Sequence, residues 1–145
     1  LMFGWNTNSD LIEAAKQVSK KLGLPVYNIV PPPRKMFCGI PRKLDVGPCE
    51  FLSMIKNAEF VVTNSFHGTA FSTTFEKPYV SIVSGKADTR MHSLLAQLGL
   101  SDHLVTKDNI DVDKIMATDF TLVRDKKKAL RQTSFDYLKN ALKGL

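Results

Sequence analysis

Short apolar runs of β type alternate with segments of helical spacing along the chain, and this alternation limits the fold more than any other feature. Leu1 to Trp5, Val26 to Val30, Phe60 to Thr63, Tyr79 to Val83 and His103 to Val105 read as strands. The first helix begins at Asp10, with Glu13 three residues on in a capping-box arrangement, and carries Leu11, Ala14, Ala15, Val18 and Leu22 on one face. Gly23 ends it, with Pro25 just beyond. Pro48 opens a second helix with Phe51, Leu52 and Ile55 inwards, and a third runs from about Phe66 to Phe75. Arg90 to Leu98 has helical spacing through Met91, Leu94, Leu95 and Leu98, and Asp111 to Met116 is a short helix. A longer one spans Leu122 to Leu142, with Leu130, Tyr137, Leu138 and Leu142 towards the core. Strands this short and apolar have no solvated face, so the pattern predicts a parallel α/β sheet of about five strands with helices on both faces.

The chain has 145 residues, enough for one domain, residues 1–145, with its own core. No apolar run approaches the ~20 residues that span a bilayer, and Leu1 to Trp5 lacks the basic start of a signal peptide. The expected compartment is the cytoplasm. Cys38 and Cys49 have neither metal nor redox spacing and are expected to be plain thiols. The net charge of +6 is scattered over Lys20-Lys21, Arg34-Lys35, Arg42-Lys43 and Lys126 to Lys128, without interleaved aromatics. That favours a solvated surface first and a phosphorylated ligand second; a nucleic-acid partner is not expected. Pro31 to Val46 reads as an extended surface loop.

Function concentrates in Glu59 to Thr69, Glu-Phe-Val-Val-Thr-Asn-Ser-Phe-His-Gly-Thr. An apolar run stops at Asn64-Ser65 and a small-residue helix begins, with His67 and Gly68 in its first turn. Open α/β sheets place ligands where strands hand over to helices at the carboxyl edge. First-turn N–H groups have no helical partner and favour an anion. Ser65 is the expected N-cap, its hydroxyl accepting from His67 or Gly68. Gly68 lets a ligand or a neighbouring strand approach the backbone, and Thr69 and Ser72 keep the segment small and polar. All of this also suits a purely structural helix start. His67 can donate a hydrogen bond or move a proton near neutral pH, or can be structural.

Arg90 opens a helix after a strand, so in a parallel sheet it reaches the same edge as His67. There a guanidinium can clamp a carboxylate or phosphate; a surface pair with Asp88 is the competing reading. Trp5 and Asn6 end the first strand and border that edge, whereas His92 and His103 read as ordinary surface or partly buried histidines.

Phe51-Leu52, Asn57-Ala58, Val61 to Thr69, Phe71-Ser72, Phe75 and Lys77-Pro78, with the later Arg90, Ser93-Leu94-Leu95 and Leu98-Gly99-Leu100, resemble the C-terminal part of the polysaccharide pyruvyl transferase family. The resemblance runs from about Asp10 to Leu142. It implies a Rossmann-like domain, the C-terminal half of a two-domain enzyme similar to GT-B type transferases, with a missing N-terminal domain across the active site. It further implies transfer of a pyruvyl ketal from phosphoenolpyruvate to a cell-wall or exopolysaccharide sugar, often lipid-linked, at or near the inner face of the membrane. Neither a metal nor a cofactor is implied.

Carried over residue by residue, His67 is the expected catalytic acid or phosphate contact, and Asn64, Ser65, Phe66, Gly68, Thr69 and Arg90 are the expected donor-binding residues. Many relatives have Arg-Leu-His-Gly where this chain has Ser65-Phe66-His67-Gly68, so the donor's charge must be met by Arg90 or a residue elsewhere. Two other readings stay open. One is a GT-B glycosyltransferase domain using a nucleotide sugar, with Glu76 the one acid near the helix end. The other is a non-catalytic binding module that uses the basic C-terminal helix.

Overall fold

The backbone runs through β1 (Met2–Phe3), α1 (Ser9–Leu22), β2 (Asn28–Ile29), β3 (Arg42–Lys43), α2 (Pro48–Lys56), β4 (Val61–Thr63) and α3 (Phe66–Thr74). It continues through β5 (Tyr79–Ile82), α4 (Thr89–Leu98), a 3-10 turn at Ser101–His103, β6 (Leu104–Val105), α5 (Val112–Met116) and α6 (Phe120–Leu142). The computed structural model describes residues 1–4, 8–29, 39–83 and 89–143. Trp5, Asn6, the three prolines at 31–33, Cys38 and residues 84–88, Asp88 among them, lie outside them.

The strands form one parallel sheet in the order β3-β2-β1-β4-β5-β6. This is the α/β Rossmann-like order, in which the connections diverge between the first and fourth strands. Six strands are described, not five. The extra one, β3, lies within the stretch read as loop, because Arg42-Lys43 at the sheet edge needs no apolar pattern.

Side chains alternate across the central strands. Met2, Val62, Val80 and Ile82 face α1 and α5, where they meet Leu11, Ala14, Ala15, Val18, Val112 and Ile115. Val61 and Tyr79 face the opposite layer and meet Ile55 of α2, Leu95 and Leu98 of α4, and Val123 of α6. The centre of the sheet is therefore covered on both sides.

Two local readings are corrected. The N-cap of α1 is Asn8, whose side chain accepts from Leu11 N–H at 2.9 Å, while Asp10 sits within the first turn. Asp10 instead faces Lys107, 3.7 Å away. In α6 only Val123 is buried; Tyr137, Leu138 and Leu142 are 52–74% exposed and Leu130 is at the margin. Its apolar positions continue the core-facing stripe, but the helix runs past the body that could cover them.

His103 is the other surprise. It is 2% exposed at the amino edge of the sheet. One ring nitrogen, Nδ1, lies 2.8 Å from Tyr79 O and Nε2 lies 3.0 Å from Thr118 Oγ1. Burial lowers its pKa from the ordinary 6.5, outweighing the Tyr79 carbonyl and Asp102, which act the other way. It is a structural link between β5 and the chain before α6.

Candidate functional site

The connections diverge at the carboxyl ends of β1 and β4, the place where open α/β sheets bind ligands. Gly4 leaves β1 and Asn64 leaves β4. A Cβ at Gly4 would collide with Asn64 Oδ1 and stand 2.6 Å from Leu11 Cδ2, so only glycine lets the two loops meet here. Gly4 follows directly on the β1 run; that punctuation was the available sequence signal for it.

α3 begins at this rim, and its first turn is built unlike the expectation. Ser65 occupies the cap position, but its hydroxyl makes no capping bond. Its N–H donates to Thr63 Oγ1 at 3.1 Å, and its carbonyl accepts from Thr69 N–H at 3.0 Å. Among the described residues no acceptor meets the N–H groups of Phe66, His67 and Gly68. The anion preference of a helix start is thus left unanswered among the described residues.

The residues that follow His67 are fixed by the interior. Gly68 packs against Thr63 and Phe3: a Cβ there would meet Thr63 Oγ1, with Thr63 Cβ at 2.9 Å and Phe3 Cδ1 at 3.1 Å. Of the two reasons for glycine, close approach of a strand is the one the structure displays. Thr69 is fully buried. Its hydroxyl lies 2.7 Å from Ser81 Oγ, 3.1 Å from Ser65 O and 3.4 Å from Met91 Sδ, tying α3 to β5 and α4. Its side chain faces the interior rather than the rim. Phe3, Phe51 and Phe71 form a run of ring contacts, at 4.6 and 5.9 Å between centroids, that steadies α3 from the other side.

The outward groups are Phe66, His67 and Arg90. His67 is exposed, its ring edge-on to Phe66 with centroids 6.0 Å apart. Arg90, in the first turn of α4, places its guanidinium carbon 5.1 Å from the Phe66 centroid. One aromatic ring therefore stands beside both an imidazole and a guanidinium at the carboxyl rim. Together they offer a proton carrier, a fixed positive charge and bare amides, a set suited to a small anion. Asn64 and Ser65 form the floor, half-buried and buried.

Glu76 lies at the far end of α3, at the amino edge of the sheet. Its carboxylate accepts from Arg124 Nε and the second guanidinium nitrogen at 2.7 and 2.6 Å. It does not reach the rim that carries His67, so the acid available to the nucleotide-sugar reading is committed elsewhere.

The family model for polysaccharide pyruvyl transferase matches residues 2–85, more than half of the chain, from β1 through β5 and including the whole Asn64–Thr69 segment. No curated protein matches the chain. With the Rossmann-like sheet and the α3 rim inside the matched span, the chain belongs to the polysaccharide pyruvyl transferase family.

Proposed function

We propose that this domain binds phosphoenolpyruvate and takes part in transferring its pyruvyl group to two hydroxyls of a saccharide. One observation supports the reading most: exposed His67 lies beside three first-turn amides that meet no acceptor among the described residues, with the Arg90 guanidinium on the neighbouring Phe66 ring. The donor carries a carboxylate and a phosphate, and a helix start with an arginine suits both.

In the proposed reaction the donor's methylene carbon takes a proton and becomes a methyl group, leaving the central carbon electrophilic. A sugar hydroxyl adds to that carbon. The second hydroxyl then closes the ring as the carbon–oxygen bond to phosphate breaks, so the products are a cyclic ketal and inorganic phosphate. His67 serves as acid or phosphate-contacting donor, and Asn64 to Thr69 shape the cradle from the backbone side. The base for the sugar hydroxyls is assigned to an N-terminal Rossmann-like half facing the carboxyl rim. A lipid-linked acceptor would bring the enzyme to the inner face of the membrane from the cytoplasm. No further cofactor enters this scheme.

Titration followed by NMR tests the reading. Phosphoenolpyruvate is expected to shift the His67 ring signals, and uridine nucleotides are not. A response to the nucleotides with silence towards phosphoenolpyruvate would transfer the site to the glycosyltransferase reading. Salt-sensitive binding to RNA or DNA, unaffected by His67→Ala, would favour the binding module.

A further inference from the structure

We infer that the distal half of α6 is an interfacial helix that lies flat on an anionic lipid surface, with its apolar stripe turned into the surface and its lysines over the lipid charges. This goes beyond the donor-site reading and does not depend on it. α6 runs over Phe120–Leu142, yet Val123 is its one buried residue, and residues 128–143 are all exposed. Among them Phe135, Tyr137, Leu138 and Leu142 stand 46–74% exposed. An open apolar patch of this kind marks a surface that something covers.

The stripe has helical order. Phe135, Leu138 and Leu142 recur at intervals of three and four residues and form one row; Leu130, Tyr137 and Ala141 recur at seven and four and form the row beside it. The stripe starts where α6 leaves the body, since Leu130 lines a groove there with Leu94 and Leu98 of α4. One hydroxyl falls between the rows, that of Ser134. It donates to Leu130 O at 2.9 Å, so it can enter an apolar layer without losing a partner. Arg131 shares the first row, its guanidinium carbon 5.4 Å from the Phe135 centroid. Its long stem covers apolar surface while the head reaches a phosphate.

Charge chooses between the occupants. α6 carries Arg124, Lys126, Lys127, Lys128, Arg131 and Lys139 against Asp125 and Asp136, which is four of the chain's six net positive charges. Arg124 is held by Glu76 at the base of the helix. Lys128 and Lys139 form no ion pair among the described residues. They sit about three turns apart, on the flank next to Phe135 and Leu142. A second copy of this chain fits this face poorly: antiparallel pairing about the centre of the stripe would set Lys128 of one helix against Lys139 of the other. An anionic bilayer answers both features at once, because apolar side chains enter the headgroup layer while flanking lysines reach the phosphates. No described helix is long and apolar enough to cross a membrane, so α6 rests on the surface rather than spanning it.

Sedimentation of the full chain with vesicles is the test, using phosphatidylcholine alone and phosphatidylcholine with phosphatidylglycerol in equal parts. Light scattering of the lipid-free protein and titration with a single-stranded RNA run alongside. Wild type is expected to bind the anionic vesicles, to release them as salt rises and to leave the neutral ones unbound. Lys128→Gln and Lys139→Gln should each weaken binding about fivefold. Leu138→Ser with Leu142→Ser should weaken it about tenfold or more, without moving the thermal midpoint, because both side chains are already exposed. Phe135→Trp should emit further to the blue on the anionic vesicles. Failure of wild type to bind anionic vesicles overturns the proposal, as does equal binding to neutral ones, unchanged binding in the double serine variant or an unshifted Phe135→Trp spectrum. A lipid-free dimer that the double serine variant abolishes assigns the stripe to a second copy instead. RNA binding that excludes the vesicles assigns it to a nucleic acid.

Discussion

Gly68 of α3 sits against Thr63 at the end of β4 so closely that a methyl group on it would overlap the threonine hydroxyl. Thr63 is fully buried and its oxygen also accepts from Ser65 N–H, so it has no room to yield. Gly68→Ala is therefore predicted to cost about 1–3 kcal/mol through overpacking. Urea denaturation reads this as a lower midpoint; a midpoint equal to wild type would show that the helix can lift off the strand freely.

His67 should behave in the opposite way. It is exposed and its side chain has one ring neighbour, Phe66. His67→Ala is expected to change stability by less than about 0.5 kcal/mol. On the proposed function, the same change in a two-domain form of the enzyme should abolish pyruvyl transfer. Near-normal turnover in that variant removes His67 from the chemistry.

The Thr69–Ser81 pair offers a test of what holds α3 on the sheet. The two hydroxyl oxygens are 2.7 Å apart and fully buried. Thr69→Val strips Ser81 of this partner and should cost about 1–3 kcal/mol. Thr69→Val with Ser81→Ala should cost less than the two single losses added together, because the orphaned group is then gone. Strict additivity would mean the pair contributes nothing as a pair.

pH enters through His103. Its folded pKa is lowered by burial, so the native state resists the proton that the unfolded chain accepts below about pH 6.5. The contribution is present in full above that value and is lost as the pH falls through the lower folded value. Thermal midpoints should therefore drop as the pH falls below about 6.5. His103→Gln should reduce that slope, whatever it does to stability at neutral pH. An equal slope in the variant would place the acid sensitivity in other groups.

Much of this was legible from residue order. The strand runs at 60–63 and 79–83 are central strands, where burial on both faces leaves a continuous apolar signal. The helix start at Phe66 was visible as well, because a β-type run ends in small polar residues. What escaped had weaker local causes. β3 is two charged residues at an edge, held by backbone pairing alone. Asn8 displaced Asp10 as cap because either residue type suits that role and only the backbone angles decide between them. The outward face of α6 was misread because its spacing is that of a core helix. In the site, the grouping of His67 with Arg90 was anticipated from sheet topology. The ring that each of them approaches was not, since a phenylalanine at a helix start gives no sign of which neighbour it will meet.

Within five consecutive positions, α3 separates into an outer and an inner part. Positions 66 and 67 face outwards at the carboxyl rim, while 65, 68 and 69 are buried and tied to the sheet or to their own turn. Substitutions at the outer two can accumulate without loosening the scaffold, so ligand preference in a lineage carrying this turn is able to drift while the architecture beneath stays unchanged.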